Sequence, residues 1–116
     1  MLISSPSANS GAAPSASAAL LEILRDEHVD AVIHLAARKQ VGESVARPLW
    51  YHAQNLGGLT AVLEAMVTAG VQNLVFSSSA AVYGDADGVV TERAPTVPVN
   101  PYGQTKLAGE WMAADV

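Results

Sequence analysis

The sequence has 116 residues, is 50% hydrophobic and 15% charged, and carries a formal net charge of -5 at pH 7. This length allows one small domain, the negative charge disfavours nucleic acid as a partner, and the absence of cysteine excludes disulfide bonds and thiolate sites. No apolar run is long enough to cross a bilayer, and the first residues lack the charged start and apolar core of a secretory signal, so we expect a cytoplasmic protein.

The first 17 residues are mostly serine, alanine, proline and glycine, which offer little that a core could bury. This composition predicts a flexible lead-in over residues 1–17. Ordered structure is predicted to begin near Ser17, which could cap a helix that ends near His28. The apolar side chains of this helix recur at helical spacing, at Leu20, Leu21 and Leu24.

Two short apolar runs predict parallel β-strands, and a long helix is predicted between them. The runs are residues 31–35 (AVIHL), expected to be a buried strand, and residues 71–76 (VQNLVF). Residues 47–69 return to a 3.6-residue period, with Pro48 in the first turn and Gly70 placed to end the helix. Two glycines in its middle, Gly57 and Gly58, indicate either a close approach by another group or a kink.

The remaining segment is predicted to be an irregular loop over residues 80–99 followed by a final helix. Asn100 is placed to cap this helix, with Pro101 at its first position. The order helix, strand, helix, strand, helix predicts an α/β fold with a parallel sheet. Two strands rarely make an independently stable sheet, so we expect the chain to correspond to the middle of a larger domain.

The candidate chemistry lies around three serines, residues 77–79, and a tyrosine–lysine pair. On a helix Tyr102 and Lys106 share one face, and a lysine beside a phenol favours the phenolate, which makes Tyr102 a candidate acid/base. Ligands of parallel sheets bind beyond the carboxyl ends of the strands. Residues 35–39 and 77–79 both follow strands, so we expect them to meet in one crevice.

The other titratable side chains give weaker signals. The three histidines show no metal-ligand spacing, so His34 is interpreted as a packed structural residue and no metal site is predicted. Asp85, Asp87 and Glu92 lie in the predicted loop and are interpreted as solvated or capping side chains.

Three stretches together resemble a known family: VIHLAARKQVGESV (Val32 to Val45), NLVFSSSAAVYG (Asn73 to Gly84) and NPYGQTKLAGE (Asn100 to Glu110). The resemblance is to the short-chain dehydrogenase/reductase superfamily, in its extended branch acting on nucleotide sugars, and within it to the UDP-glucose 4-epimerases. It covers roughly residue 18 to the end. The related 4,6-dehydratases carry an Asp-Glu pair where this chain has Ala80 and Ala81, which disfavours a dehydratase.

The resemblance implies an NAD-dependent isomerase that interconverts UDP-glucose and UDP-galactose by transient oxidation at C4, with NAD accepting and returning the hydride. Tyr102 would take the proton of the 4-hydroxyl, Ser79 would hydrogen-bond the same oxygen, and Lys106 would hold the nicotinamide ribose. Substrate would therefore contact Ser79 and Tyr102. The residues that would bind NAD are Leu35, Ala36, Ala37, Lys39, Asn55, Ser77 through its backbone, Tyr102 and Lys106, although Lys39 could instead be a plain surface lysine.

The chain also departs from the family pattern, since it has no first strand with a glycine-rich turn and no C-terminal part for the uridine nucleotide. The expectation is therefore a partial Rossmann-like domain, with residues 18–116 as the central part of an NAD-binding domain and doubtful activity alone. Two alternatives stay open. One is a non-catalytic fragment that self-associates or binds a partner through helices 47–69 and 100–116. By the resemblance, these two helices would form the homodimer of the family. The other alternative is an epimerase of another UDP-sugar.

Overall fold

The computed structural model describes residues 15–116. Four α-helices, two strands and one 3-10 helix follow one another along this part of the chain. In order they are α1 (Ala16–Asp26), β1 (Ala31–His34), α2 (Val41–Ala46), α3 (Pro48–Ala69), β2 (Asn73–Phe76), the 3-10 helix Ala80–Tyr83 and α4 (Pro101–Asp115). The predicted α/β order is confirmed, with α2 and the 3-10 helix as additional short elements.

The sheet consists of β1 and β2, which pair in parallel from Ala31↔Asn73 to His34↔Phe76. A core cluster lies under this sheet, where α1 packs against α3 and α3 packs against α4. The cluster buries side chains from α1, α3 and β1: Leu20, Leu24, Val32, Val62, Ala65 and Met66. Burial of this apolar surface is the main stabilising contribution to the arrangement.

The cap of the first helix lies two residues earlier than predicted. The side chain of Ser15, not that of Ser17, accepts the hydrogen bond from the Ala18 amide, at 3.2 Å, and Ser17 lies within the first turn. Residues 15–17 are therefore part of the helix start, and the rest of the predicted lead-in lies outside the described residues. Both serines suit a cap, so composition alone does not distinguish them.

The long helix α3 begins at Pro48 and ends at Gly70 as predicted. Gly70 adopts a left-handed conformation with φ 76, and the amide of Val71 donates to the carbonyl of Met66 at 2.9 Å. This closing turn uses Val71, which explains why β2 begins at Asn73 rather than at residue 71. The helix is continuous through Gly57, and no other part of the described chain comes within 4 Å of a Cβ placed there. The predicted kink is therefore wrong, and no close approach is made at Gly57 within residues 15–116.

The expectation that β1 is buried on both faces is wrong. Val32 and His34 are buried, but Ile33 is 45% exposed, and Leu35, just beyond the strand, is 50% exposed. In β2 the side chain of Val75, the register partner of Ile33, is 60% exposed. Within the described part of the chain the helices cover one face of the sheet and not the other, so only alternate side chains of the strand are buried.

The final helix α4 approaches its neighbours closely at two glycines. A Cβ at Gly109 would lie 2.6 Å from the Phe76 ring, and one at Gly103 would lie 2.6 Å from the Ala81 carbonyl oxygen. Glycine at these positions allows α4 to lie directly over the end of β2 and against the 3-10 helix. None of the helices within residues 15–116 is both long enough and apolar enough to span a bilayer.

Candidate active site

The carboxyl ends of the two strands lie side by side, as the sequence predicts. The amide of Ser77, just past β2, donates to the carbonyl of His34 at the end of β1, at 3.1 Å. This hydrogen bond extends the parallel ladder by one residue and brings residues 35–39 next to residues 77–79. The predicted crevice therefore has both of its strand ends in place.

The helix that carries Tyr102 and Lys106 starts where the sequence predicts. The side chain of Asn100 accepts from the amide of Gly103 at 2.8 Å, and Pro101 occupies the first turn. The amide of Tyr102 would otherwise lack a helical acceptor, but it donates to the Ser44 hydroxyl of α2 at 3.2 Å. The start of α4 is thus held by a local cap and by a long-range contact.

Lys106 lies at the strand ends, where its side chain is 5% exposed. Its amine donates to the carbonyl of Ser77 at 2.7 Å and lies 5.1 Å from the centroid of the Phe76 ring. Burial, followed by the positive charge of Lys39, lowers the pKa of the Lys106 amine. Tyr102, one turn earlier on α4, is partly exposed, and its hydroxyl has no hydrogen-bond partner among residues 15–116.

Ser79 lies between the end of β2 and α4, where it caps the 3-10 helix. Its hydroxyl oxygen accepts from the amide of Ala81 at 3.1 Å, which leaves the hydroxyl proton free to be donated. The backbone of Ala81 contacts α4 closely because Gly103, the neighbour of Tyr102, has no side chain. The segment with Ser79 is therefore packed onto the first turn of the helix with Tyr102.

Asn55 is 7% exposed and uses its side-chain amide within the chain. Its oxygen accepts from the amide of Arg38 at 2.8 Å, and its nitrogen donates to the Arg38 carbonyl and to the Thr105 hydroxyl, each at 3.1 Å. These bonds join α3, the segment after β1 and α4. In this structure Asn55 holds the candidate cofactor segment and the Tyr/Lys helix in place.

The other residues predicted to bind the cofactor lie at the edge of the crevice. Leu35 and Lys39 are exposed, whereas Ala36 and Ala37 are partly buried. The backbone of Ser77 already has partners, since its amide is bonded to His34 and its carbonyl to Lys106. Asp85, Asp87 and Glu92 are exposed on the loop before α4.

Four polar side chains that support the site were not predicted from the sequence. They are Ser44, whose hydroxyl also donates to the Val41 carbonyl; Tyr51, whose oxygen accepts from the Gln40 amide; Thr105; and Ser78, which donates to Glu110 at 2.5 Å. Each contact except Ser44–Val41 links distant segments of the chain, so no local motif reveals it. The one sequence signal is Thr105, whose hydroxyl lies three residues after Tyr102 on the predicted helix.

His34 is buried, as the sequence suggested, at 3% exposure, and its ring stacks on Phe76 with centroids 6.0 Å apart. Its Nδ1 has no hydrogen-bond partner among the described residues. Burial, followed by the positive charge of Lys106, lowers the pKa of His34 below its usual 6.5. The neutral ring is therefore the form that the fold accommodates.

We expect this histidine to make the chain less stable in mild acid. Its folded-state pKa is lowered, so below pH 6.5 the unfolded chain binds a proton more readily than the folded chain, and the free energy of unfolding falls as pH falls. Urea unfolding of the chain and of His34→Asn between pH 7.5 and 5 measures this. The His34→Asn variant should lose part of the pH dependence of the free energy of unfolding. The control His52→Asn, at a partly exposed position of α3, should retain it. Equal slopes of this free energy against pH in all three proteins would contradict the role of His34.

Comparison with known proteins identifies relatives over most of the chain. The profile of the NAD dependent epimerase/dehydratase family matches residues 11–116. A UDP-glucose 4-epimerase of Streptomyces lividans is 56% identical over 84 residues, which are 72% of this chain and 26% of that protein. One of Lactobacillus helveticus is 50% identical over 94 residues, or 80% of this chain and 28% of that protein.

Solved structures give the same result. The UDP-glucose 4-epimerase of Stenotrophomonas maltophila, solved with NAD and formylated UDP-arabinopyranose, superposes with a TM-score of 0.82 at 48% identity, covering 85% of this chain and 30% of that chain. The Brucella ovis enzyme, solved with NAD, gives 0.83 at 43% identity, with 85% and 31% covered. These superpositions confirm a Rossmann-like α/β fold. The chain spans about a third or less of the length of these relatives.

Proposed function

Because the chain belongs to the NAD dependent epimerase/dehydratase family, we propose that it carries the proton-transfer centre of a UDP-glucose 4-epimerase. The observation that supports this most directly is the position of Lys106, buried between Ser77 and Phe76 on the helix that also presents Tyr102. The identity of 56% to a UDP-glucose 4-epimerase favours this activity within the family. The alternative of another UDP-sugar stays open, since one structural relative is a UDP-N-acetylglucosamine 4-epimerase at 34% identity.

The proposed roles follow from the hydrogen bonds each group has left. Tyr102, as phenolate, would accept the proton of the sugar hydroxyl and later return it. Ser79 would donate its remaining hydroxyl proton to the same oxygen. Lys106 keeps donor capacity beyond its bond to Ser77, because an ammonium has three N–H groups.

The residues at the crevice fit NAD as cofactor, which would supply hydride acceptance and return. Two small residues, Ala36 and Ala37, follow β1 and permit close approach to the backbone, and Lys39 adds a positive charge near Lys106. Leu35 would contact the dinucleotide from the strand end. Asn55 would act by holding this segment, and Ser77 by presenting the carbonyl that anchors Lys106.

The 116-residue chain alone is expected neither to retain NAD nor to turn over substrate, because residues 15–116 contribute only two strand ends to hold a dinucleotide. Incubation with UDP-galactose and added NAD, followed by chromatography of the sugar nucleotides, tests this. Formation of UDP-glucose above a Tyr102→Phe control would overturn the expected inactivity and support the assigned chemistry. A titration that follows NAD binding gives a second, independent readout.

A second candidate function is self-association through α3 and α4. Their outer faces carry large exposed apolar side chains, with Val67 and Trp111 each 61% exposed and Val116 72% exposed. Such a surface favours a protein partner over solvent. The homodimer proposed for this family would use the same two helices, residues 47–69 and 100–116.

Light scattering over a concentration series measures this association. We expect a dimer that Val67→Asp with Trp111→Glu converts to monomer, because two like charges then replace apolar contacts at the interface. Val89→Asp, at a position 95% exposed on the loop, serves as the control and should leave the dimer intact. A wild-type chain that stays monomeric at high concentration would rule this function out.

A further inference from the structure

A tryptophan in the first turn of α3 lies against two arginine side chains. The guanidinium carbon Cζ of Arg38 lies 4.9 Å from the centroid of the Trp50 ring, and that of Arg47 lies 4.1 Å from it. Within residues 15–116 neither guanidinium forms a hydrogen bond or an ion pair, and the indole N–H of Trp50 has no acceptor. These three residues, the arginine–tryptophan cluster, therefore bring together several hydrogen-bond donors that are not used by the described chain.

The cluster is a positive region on an acidic chain. The sequence has 6 lysine and arginine residues against 11 acidic ones, and three of the six follow closely in sequence: Arg38, Lys39 and Arg47. Glu43, which lies between them in sequence, acts on the Tyr51 hydroxyl and forms no ion pair with either arginine. Two guanidiniums beside one ring repel each other, and a bound anion would remove this repulsion.

The backbone and the ring that carry the cluster are held in place. The amide and the carbonyl of Arg38 are bonded to the buried side chain of Asn55, at 2.8 and 3.1 Å. Tyr51 is 0% exposed, contacts Trp50 edge to face with ring centroids 5.8 Å apart, and accepts from the amide of Gln40 at 2.8 Å. A ligand of the cluster would therefore bind with little loss of conformational entropy in the protein.

We propose that the arginine–tryptophan cluster is a binding site for a diphosphate group. A guanidinium donates two parallel hydrogen bonds to phosphate oxygens. A diphosphate has a phosphate at each end, which matches two separate guanidiniums better than an anion with one charged group. The site lies beside the candidate cofactor crevice, because it is the charge of Lys39, not of Arg38, that acts on Lys106. The site does not depend on the proposed reaction, since neither Tyr102 nor Lys106 belongs to it.

The test titrates the 116-residue chain with inorganic pyrophosphate. The chain has two tryptophans, so a Trp111→Phe background leaves Trp50 as the fluorescent group beside the two guanidiniums. We expect a saturable change in its fluorescence with a Kd of about 1 mM at low ionic strength, and weaker binding as salt is added. ADP is the second probe: a lower Kd than that of pyrophosphate assigns the site to a nucleotide diphosphate, and an equal or higher Kd assigns it to the free anion.

Variants read by calorimetry locate the binding. Arg38→Met and Arg47→Met should each weaken the Kd by about tenfold or more, and Arg38→Lys should also weaken it, because lysine keeps the charge and loses the planar fork. Arg25→Met, at an exposed position of α1, should bind like the wild type, and so should Lys39→Gln. Circular dichroism checks the fold of each variant, and the Lys variant decides where a Met variant does not fold.

Three results would overturn the diphosphate site. They are a fluorescence change that sodium chloride at equal ionic strength reproduces, binding that survives both Met variants, and binding that Lys39→Gln abolishes, which would place the anion in the crevice instead. The measurement needs no catalysis. A chain that binds pyrophosphate through the two arginines but belongs to an enzyme without epimerase activity would contradict the proposed reaction and leave this site established.

Discussion

Replacing Gly84 with alanine is expected to lower the free energy of unfolding by about 3 kcal/mol or more. Gly84 ends the 3-10 helix with φ 68 and ψ -148, a backbone conformation that is accessible almost only to glycine. A Cβ there would also lie 1.9 Å from the carbonyl oxygen of Val97, so the backbone on the far side of the loop must move. Urea unfolding monitored by circular dichroism measures the loss.

Two other glycines provide matched controls for this effect. Gly88 has φ 77 but open space around it, so Gly88→Ala should show only the conformational cost of about 1 kcal/mol. Gly57 lies within α3 with nothing within 4 Å, so Gly57→Ala should stabilise the chain by about 1 kcal/mol through helix propensity. A Gly84→Ala protein as stable as Gly88→Ala would show that the loop yields at Val97 without strain.

Asn55→Leu is expected to destabilise the chain by about 3 kcal/mol, although leucine has nearly the shape of asparagine. The change leaves the amide and carbonyl of Arg38 without their partners and removes the donor to Thr105. Unsatisfied polar groups account for most of the loss. Hydrogen exchange should also show faster exchange at the Arg38 amide, because the segment after β1 is no longer held.

A graded comparison identifies which of these bonds matters. Thr105→Val removes the hydroxyl that accepts from Asn55 and donates to the carbonyl of Tyr102, and it should cost about 1 kcal/mol while the Arg38 amide stays protected. Gln54→Leu, at the neighbouring, partly buried position, should have little effect. Equal free energies of unfolding for Asn55→Leu and Gln54→Leu would show that the hydrogen bonds of the Asn55 side chain do not stabilise the fold.

Local patterns in the sequence predicted the helices and the position of the strands well. Pro48 with Gly70, and Asn100 with Pro101, bound their helices because each residue has a backbone preference that acts over one turn. The parallel order placed the ends of β1 and β2 together, and with them the serines and Lys106. These predictions depend only on local chemistry and on the general geometry of parallel sheets.

The features that the sequence did not reveal depend on partners far along the chain. The exposure of Ile33 follows from which helices are available to cover each face, and the same residue would be buried in a thicker domain. The bonds of Asn55 to Arg38 and Thr105 span 17 and 50 residues, so no local pattern indicates them, and its contact with the cofactor stays a prediction. Local propensity does not distinguish Ser15 from Ser17 as the helix cap, because both are serines and lie within two residues of each other.

The two glycines that let α4 lie close to its neighbours also weaken it as an isolated helix. Gly109 costs about 1 kcal/mol relative to alanine in the helix interior, Gly103 is a poor helix former in the first turn, and a helix of 15 residues is marginal in water even without them. The segment with Tyr102 and Lys106 should therefore become helical only when Phe76 and the 3-10 helix are already beneath it. The pairing of tyrosine with lysine is in this sense a property of the assembled domain, and any event that loosens the end of β2 would separate the two side chains before it unfolds the core.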